Sequence, residues 1–294
     1  MPFDSIQSSR RRFLKTLAAG MAIPFVPRLD WGSNDLPFRI RTITAGIELA
    51  SPEDLDTLHA AIAFLEDARA RFVSAGYEVQ TIRVATQPLA EYATNWIELN
   101  TIERLVPLDR IAQDYEVMLN IGPVITDDVY EERLPEWSST LISQTTNTSH
   151  TIVVASAEQG VHAASARSAG EAIARIGQDS AGGVGNFRFA ATAFSPSETP
   201  FFPAAYHRGE PAFGIGLESP RVLTEVISSD RDRATAAGRI AEKLDTIIAP
   251  IANIAEELSA KSGRRYSGVD TSPAPGLDAS IGETIETLTG QPLG

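Results

Sequence analysis

The chain has 294 residues, 43% of them hydrophobic and 21% charged, with 25 Lys+Arg against 38 Asp+Glu and a net charge of -13. That length buries a large core in one big or two ordinary domains, and no run reaches the roughly 20 apolar residues that cross a bilayer. With no cysteine in the sequence, disulfides, zinc–thiolate sites, iron–sulfur clusters and thiol nucleophiles are excluded within it.

The first signal in chain order is Ser9-Arg10-Arg11-Arg12-Phe13-Leu14-Lys15, followed by a weakly apolar stretch from Leu17 to Val26. Adjacent arginines ahead of such a stretch are the pattern of a twin-arginine export signal, with Arg10 and Arg11 as the contacts to the translocase. The competing reading is a basic N-terminal tail. Pro24 and Pro27 interrupt the apolar stretch and no Ala-x-Ala follows it, so an uncleaved anchor in the periplasm is expected as readily as a removed peptide. Beyond residue 30 the balance is 20 basic against 36 acidic residues. A field of that sign repels phosphate backbones and anionic lipid, which argues against nucleic acid.

Residues 1–35 therefore read as signal and linker, and 36–294 as a single α/β domain. Phe38–Leu49 reads as a strand, and Ser51-Pro52-Glu53-Asp54 as a helix start, with Ser51 capping and Pro52 in the first turn. Leu55, Leu58, Ile62, Leu65 and Phe72 keep helical spacing up to Gly76. Tyr77–Thr86 is the next strand. A helix over 95–115, a short strand over 117–121 stopped by Gly122-Pro123, and a helix over 127–144 broken near Pro135 follow. Strands are predicted over 151–155, 186–194, 212–217 and 266–270, and helices over 161–176, 220–228, 231–262 and 279–289. Alternation with short links implies a mainly parallel sheet with helices outside, in a barrel or a large open sheet. The last residues, Gln291-Pro292-Leu293-Gly294, leave the final helix entering a turn, as a truncated chain would.

Loops after the C-terminal strand ends are where parallel α/β folds meet ligands. That rule selects Asp127 after the third strand, Glu218 after the strand over 212–217, and the loop running from Asp270 through Ser272 to Asp278. Prolines 273 and 275 would stiffen this last loop, which suits it to acid–base or cation-binding chemistry; the plainer reading is an ordinary turn. In the loop over 195–207, Phe201 and Phe202 form an apolar lid or a plug, with Tyr206 and His207 as proton-transfer groups. Arg188, alternating with aromatics beside Asn186, either binds an anionic ligand or pairs with a buried carboxylate. His59, His150 and His162 lack metal-ligand spacing, which leaves a carboxylate site for a divalent cation, calcium or magnesium, as the open cofactor. Gly182-Gly183-Val184-Gly185-Asn186 precedes a strand and so fails as a phosphate loop.

Four ordered motifs carry a resemblance: Phe38–Gly46, Gly185–Phe189, Pro200–His207 and Gly268–Pro275. Together they resemble the bacterial and archaeal family called domain of unknown function 711. The resemblance implies a large, ten-stranded type of α/β barrel similar to that of the glycyl radical enzymes, incomplete here. It supplies no reaction, and the lack of cysteine in this stretch disfavours radical chemistry. The expected function is an exported enzyme acting on a small polar metabolite by acid–base or metal-assisted chemistry. In it Asp270 is base or metal ligand, Glu218 its partner, Arg188 the anion-orienting group, and His207 or Tyr206 the proton shuttle; Asn186, Ser272, Asp278 and Asp127 line the ligand. The rival expectations are a non-catalytic periplasmic binding protein and a homo-oligomeric scaffold.

Overall fold

The computed structural model describes residues 38–229, 232–273 and 280–292. The export signal and Asp278 lie outside these. Strands β1 (Arg39–Gly46), β2 (Val79–Ala85), β3 (Met118–Ile125), β4 (Thr148–Ser156), β5 (Gly160–Val161), β6 (Phe189–Ala193), β7 (Ala212–Glu218) and β8 (Arg265–Asp270) form one sheet. Helices α1 (Leu55–Ser74), α2 (Leu99–Asp114), α3 (Leu134–Gln144), α4 (Ala163–Asp179), α5 (Pro220–Ser229), α6 (Arg233–Ser262) and α7 (Ile281–Thr289) alternate with them. Among the described residues no helix is long and apolar enough to cross a membrane.

The strand order is β5-β4-β3-β2-β1-β7-β8, with β6 on β4. Strands β1, β2, β3, β4 and β6 are parallel neighbours. Their order advances in one direction from β1. Right-handed crossovers then place every intervening helix on the same face, unlike a doubly wound sheet, where the order reverses. β7 pairs antiparallel with β1 and parallel with β8, so the last two strands run against β1, β2, β3, β4 and β6. The α/β alternation is as predicted, and the sheet is open between β6 and β8 among the described residues.

The helix-covered face holds the core. Ile43, Ile82, Leu119, Ile152 and Ile215 point at Leu58, Leu65 and Phe72 of α1, Leu105 of α2, Trp137 of α3 and Ile251 of α6 within one buried apolar cluster. Phe213 extends it, with its ring 4.9 Å from Phe64 and 5.4 Å from Tyr266. Apolar area removed from water at about 25 cal/mol per Å² is what holds these layers together.

Several element ends differ from the pattern in the sequence. Helix α1 begins at Leu55 because Asp54, not Ser51, caps it: its carboxylate accepts from Thr57 N at 3.3 Å and Thr57 Oγ1 at 2.9 Å. Strand β3 runs through Gly122-Pro123 instead of stopping there. Gly122 takes a left-handed φ of 74° and donates to Asn120 Oδ1 at 2.8 Å. The register slips at this point, and a bulge accommodates the missing proline N–H. Helix α3 starts at Leu134 with Pro135 in its first turn, where no donor is needed. Residues 181–188 are a 3-10 segment, so Asn186 and Arg188 precede β6 instead of lying on it.

His150 on β4 shows what the core imposes on a titratable group. It is fully buried, its Nε2 lies 2.9 Å from Ser138 Oγ, and its ring lies 4.9 Å from that of Phe189. Burial, then the charge of Arg188, pushes its pKa from 6.5 down to about 3. The unfolded chain therefore binds this proton first. The stability from a neutral His150 is whole above pH 6.5 and is lost as pH falls toward 3, at about 1.4 kcal/mol per pH unit. Unfolding titrations between pH 7.5 and 4 should fall more steeply for the wild type than for His150→Gln. Parallel curves would remove His150 from the acid response.

Candidate functional site

The opposite face of the sheet is polar. Register places Thr81, Thr42, Gly216 and Asp270 in one row across β2, β1, β7 and β8, and Arg83, Thr44, Gly214 and Gly268 in the next. Asn120 and Ser149 continue this face onto β3 and β4, where Asn120 Nδ2 donates to Ser149 Oγ at 3.0 Å. Strand alternation accounts for the two-sidedness: Ile43, Ile82 and Ile215 fall on helices, and their immediate neighbours fall on the other side.

The segment Pro200–His207 lies against this polar face. Thr44 Oγ1 donates to Pro200 O at 2.6 Å, and Asn120 Nδ2 donates to Pro203 O. The peptide between Phe202 and Pro203 is cis. His207 N–H donates to Thr86 O at 2.9 Å, beyond the end of β2. Glycines make room for this close approach. A Cβ on Gly46 would sit 2.2 Å from His207 Nδ1, and one on Gly216 would sit 2.6 Å from the Phe201 ring.

Arg83 and Thr151, on the polar face, are incompletely satisfied. Arg83 is 9% exposed, and its Nε has no hydrogen-bond partner. Its guanidinium lies 5.5 Å from the centroid of the Phe202 ring. Burial, with the charge of Arg41 as the second cause, brings its pKa from 12.5 down to about 9. Thr151 Oγ1, on the same face of β4 as Ser149, is also buried without a partner.

The residues selected by sequence fall into separate places. Asp270 stands on the polar face, half-buried, and its Oδ1 accepts from Ser272 N at 2.8 Å; Ser272 itself is exposed. Glu218 is buried, 3.6 Å from Arg39 Nη1 and 3.4 Å from Arg41 Nη1, and accepts from Gln80 Nε2 at 2.9 Å. His207 is buried, with Nε2 2.9 Å from Glu210 O and 3.1 Å from Gly209 O; two carbonyl acceptors put the ring proton on Nε2. Tyr206 lines a cleft of about 360 Å³ beside Ser156, Glu158, Phe194 and Arg208, and partial burial raises its pKa.

Arg188 is separate from that face. Its guanidinium donates to Thr145 Oγ1 at 2.9 Å, Thr148 O at 3.0 Å and Ile142 O, tying the end of α3 to the start of β4. Four strand steps separate β4 from β7, about 19 Å at the usual spacing. Asn186 Nδ2 donates to Ile173 O on α4. Asp127 is exposed near the C-terminal end of β3, where Gln159 Nε2 approaches its Oδ1 at 3.4 Å.

The strand-end rule scattered these residues for a topological reason. Because β7 runs against β1, Glu218 lies beside Arg39, at the N-terminal end of β1. Asp127 follows the C-terminal end of β3, at the opposite end of the sheet. Among the described residues no three His, Asp or Glu side chains converge as a metal site would require. Arg83 had a visible signal in the sequence: a lone cation inside Thr81-Ile82-Arg83-Val84-Ala85, an otherwise uncharged strand.

A curated relative described as "UPF0210 protein", from Pyrobaculum islandicum, is 26% identical over 260 residues, covering 83% of this chain and 55% of the relative. The chain thus spans about half the length of the curated relative it matches. The family described as "Uncharacterised ACR (DUF711)" matches residues 34–294, which include the polar face, its covering segment and both halves of the sheet, and the chain belongs to that family.

Proposed function

We propose that the polar sheet face binds a small polar metabolite and that the protein acts on it as an exported enzyme by acid–base chemistry. The observation that carries this reading is Pro200–His207 held on glycines, the Thr44 hydroxyl and the Asn120 amide over a polar face that retains unsatisfied buried groups. A sheet face kept polar beneath a fitted cover is suited to a hydrated ligand that must be shielded from bulk water. Asp270 is the proton-accepting group, since it shares that face and is half-open to solvent. Tyr206 and His207, at the far end of the covering segment, fasten it; Glu218 sets the charge at the other end of β1. Export rests on Arg10 and Arg11 ahead of the apolar stretch.

The test is purification of the chain from fractionated cells, with mass spectrometry of small molecules released from it. One compound should accompany wild-type protein in the periplasmic or membrane fraction. Asp270→Asn should retain the fold and the compound but lose its turnover. The Arg10→Lys/Arg11→Lys double variant should stay in the cytoplasm. A compound carried equally by protein lacking residues 200–207, or unchanged turnover in Asp270→Asn, would dismiss the respective assignment.

A further inference from the structure

We infer that the metabolite presents an oxyanion, a carboxylate or a phosphate, and that Arg83 receives it; this rests on the polar face being the binding face. Arg83 is 9% exposed, and its Nε is without a partner. No ion pair reaches its guanidinium among the described residues. No acid is among the charges acting on it, and the acids of the polar face and its flank are committed elsewhere. Glu218 serves Arg39, Arg41 and Gln80, Glu198 pairs with Arg265, and Asp270 accepts from Ser272 N. The Phe202 ring offers only a weak cation–π contact, and the nearby charge of Arg41 works against burial.

An arginine stays protonated at neutral pH, so it cannot shed this charge as a buried lysine would. A buried cation without an acid is costly, and truncating it to an apolar group is commonly neutral or stabilising. The planar guanidinium is matched by an oxyanion, which satisfies two N–H donors at once. Such a ligand would also offset the repulsion between Arg41 and Arg83. Across the same face, Asp270 lies three strands and one row from Arg83, about 16 Å between backbones. The anionic end of the metabolite therefore lies toward β2 and its reacting end toward β8.

Thermal unfolding of the 294-residue chain at low ionic strength tests this, with inorganic phosphate, succinate or glycerol added. At about 100 times its Kd, a bound anion raises the wild-type midpoint by about 5 °C; glycerol at equal concentration does not. A response to phosphate alone identifies a phosphate group, and one to succinate alone a carboxylate. Arg83→Met should lose the response and, without anion, unfold no lower than wild type. Arg167→Met, on an exposed helix position, should keep the response. Equal rises in wild type and Arg83→Met, or no rise with either anion, overturn the assignment. A neutral metabolite whose turnover is lost in Asp270→Asn would sink the anion while sparing the face.

Discussion

Replacing Asp109 by alanine lowers the free energy of unfolding by about 3–5 kcal/mol, the range for stripping a buried carboxylate from several donors. Asp109 sits on α2, 1% exposed, and gathers the chain that enters β4. Its Oδ1 accepts from Asn147 N at 2.9 Å and Thr148 Oγ1 at 2.7 Å, and its Oδ2 from Thr146 N at 2.9 Å. Alanine leaves two amides and a hydroxyl without their acceptor. Ser149 follows directly, so this carboxylate also sets where β4 begins to present its polar face. Urea unfolding should show a lower midpoint with an unchanged slope. Asp109→Asn keeps one acceptor and should recover part of the loss. A loss under about 1 kcal/mol for alanine would mean that the entry to β4 is held by something else.

Gly46→Ala is the second large effect, and it acts on the covering segment. The new Cβ would stand 2.2 Å from His207 Nδ1 and 2.4 Å from Cγ. The ring has little freedom to retreat, because its Nε2 is bound to Glu210 O and Gly209 O and its backbone to Thr86 O. The expected loss is about 1–3 kcal/mol, the usual range for overpacking, with faster proteolysis between residues 200 and 207. Trimming the ring should relieve the clash, so Gly46→Ala/His207→Gly should be more stable than the sum of the single changes. Strict additivity would show that the two residues do not meet.

The alternation of strand and helix was legible because each βα unit has its own apolar period, as in Leu58, Ile62 and Leu65 on α1 or Ile43, Ile82 and Leu119 on the strands. Element ends were less legible where one side chain decides. Asp54 captures the start of α1 three residues beyond Ser51, and Asn120 holds Gly122 in a bulge that carries β3 past Pro123. Site residues were hardest, since strand direction is a long-range property that local pattern does not encode. The reversal at β7 separated Glu218 from Asp127, while register alone brought Asp270 into line with Thr42 and Thr81. Arg188 reads in the sequence as binding an anionic ligand or a buried carboxylate, whereas its hydrogen-bond acceptors are the Thr145 hydroxyl and the Thr148 and Ile142 carbonyls, on the helix side of β4.

Hydrogen–deuterium exchange, comparing protein carrying its copurified metabolite with protein stripped of it, tests the polar face most directly. Slower exchange in the metabolite-bound protein is predicted at residues 42–46, 81–86 and 200–207, the strand segments and their cover. Protection confined to other segments, with 200–207 exchanging alike in both samples, would contradict a binding site beneath that cover.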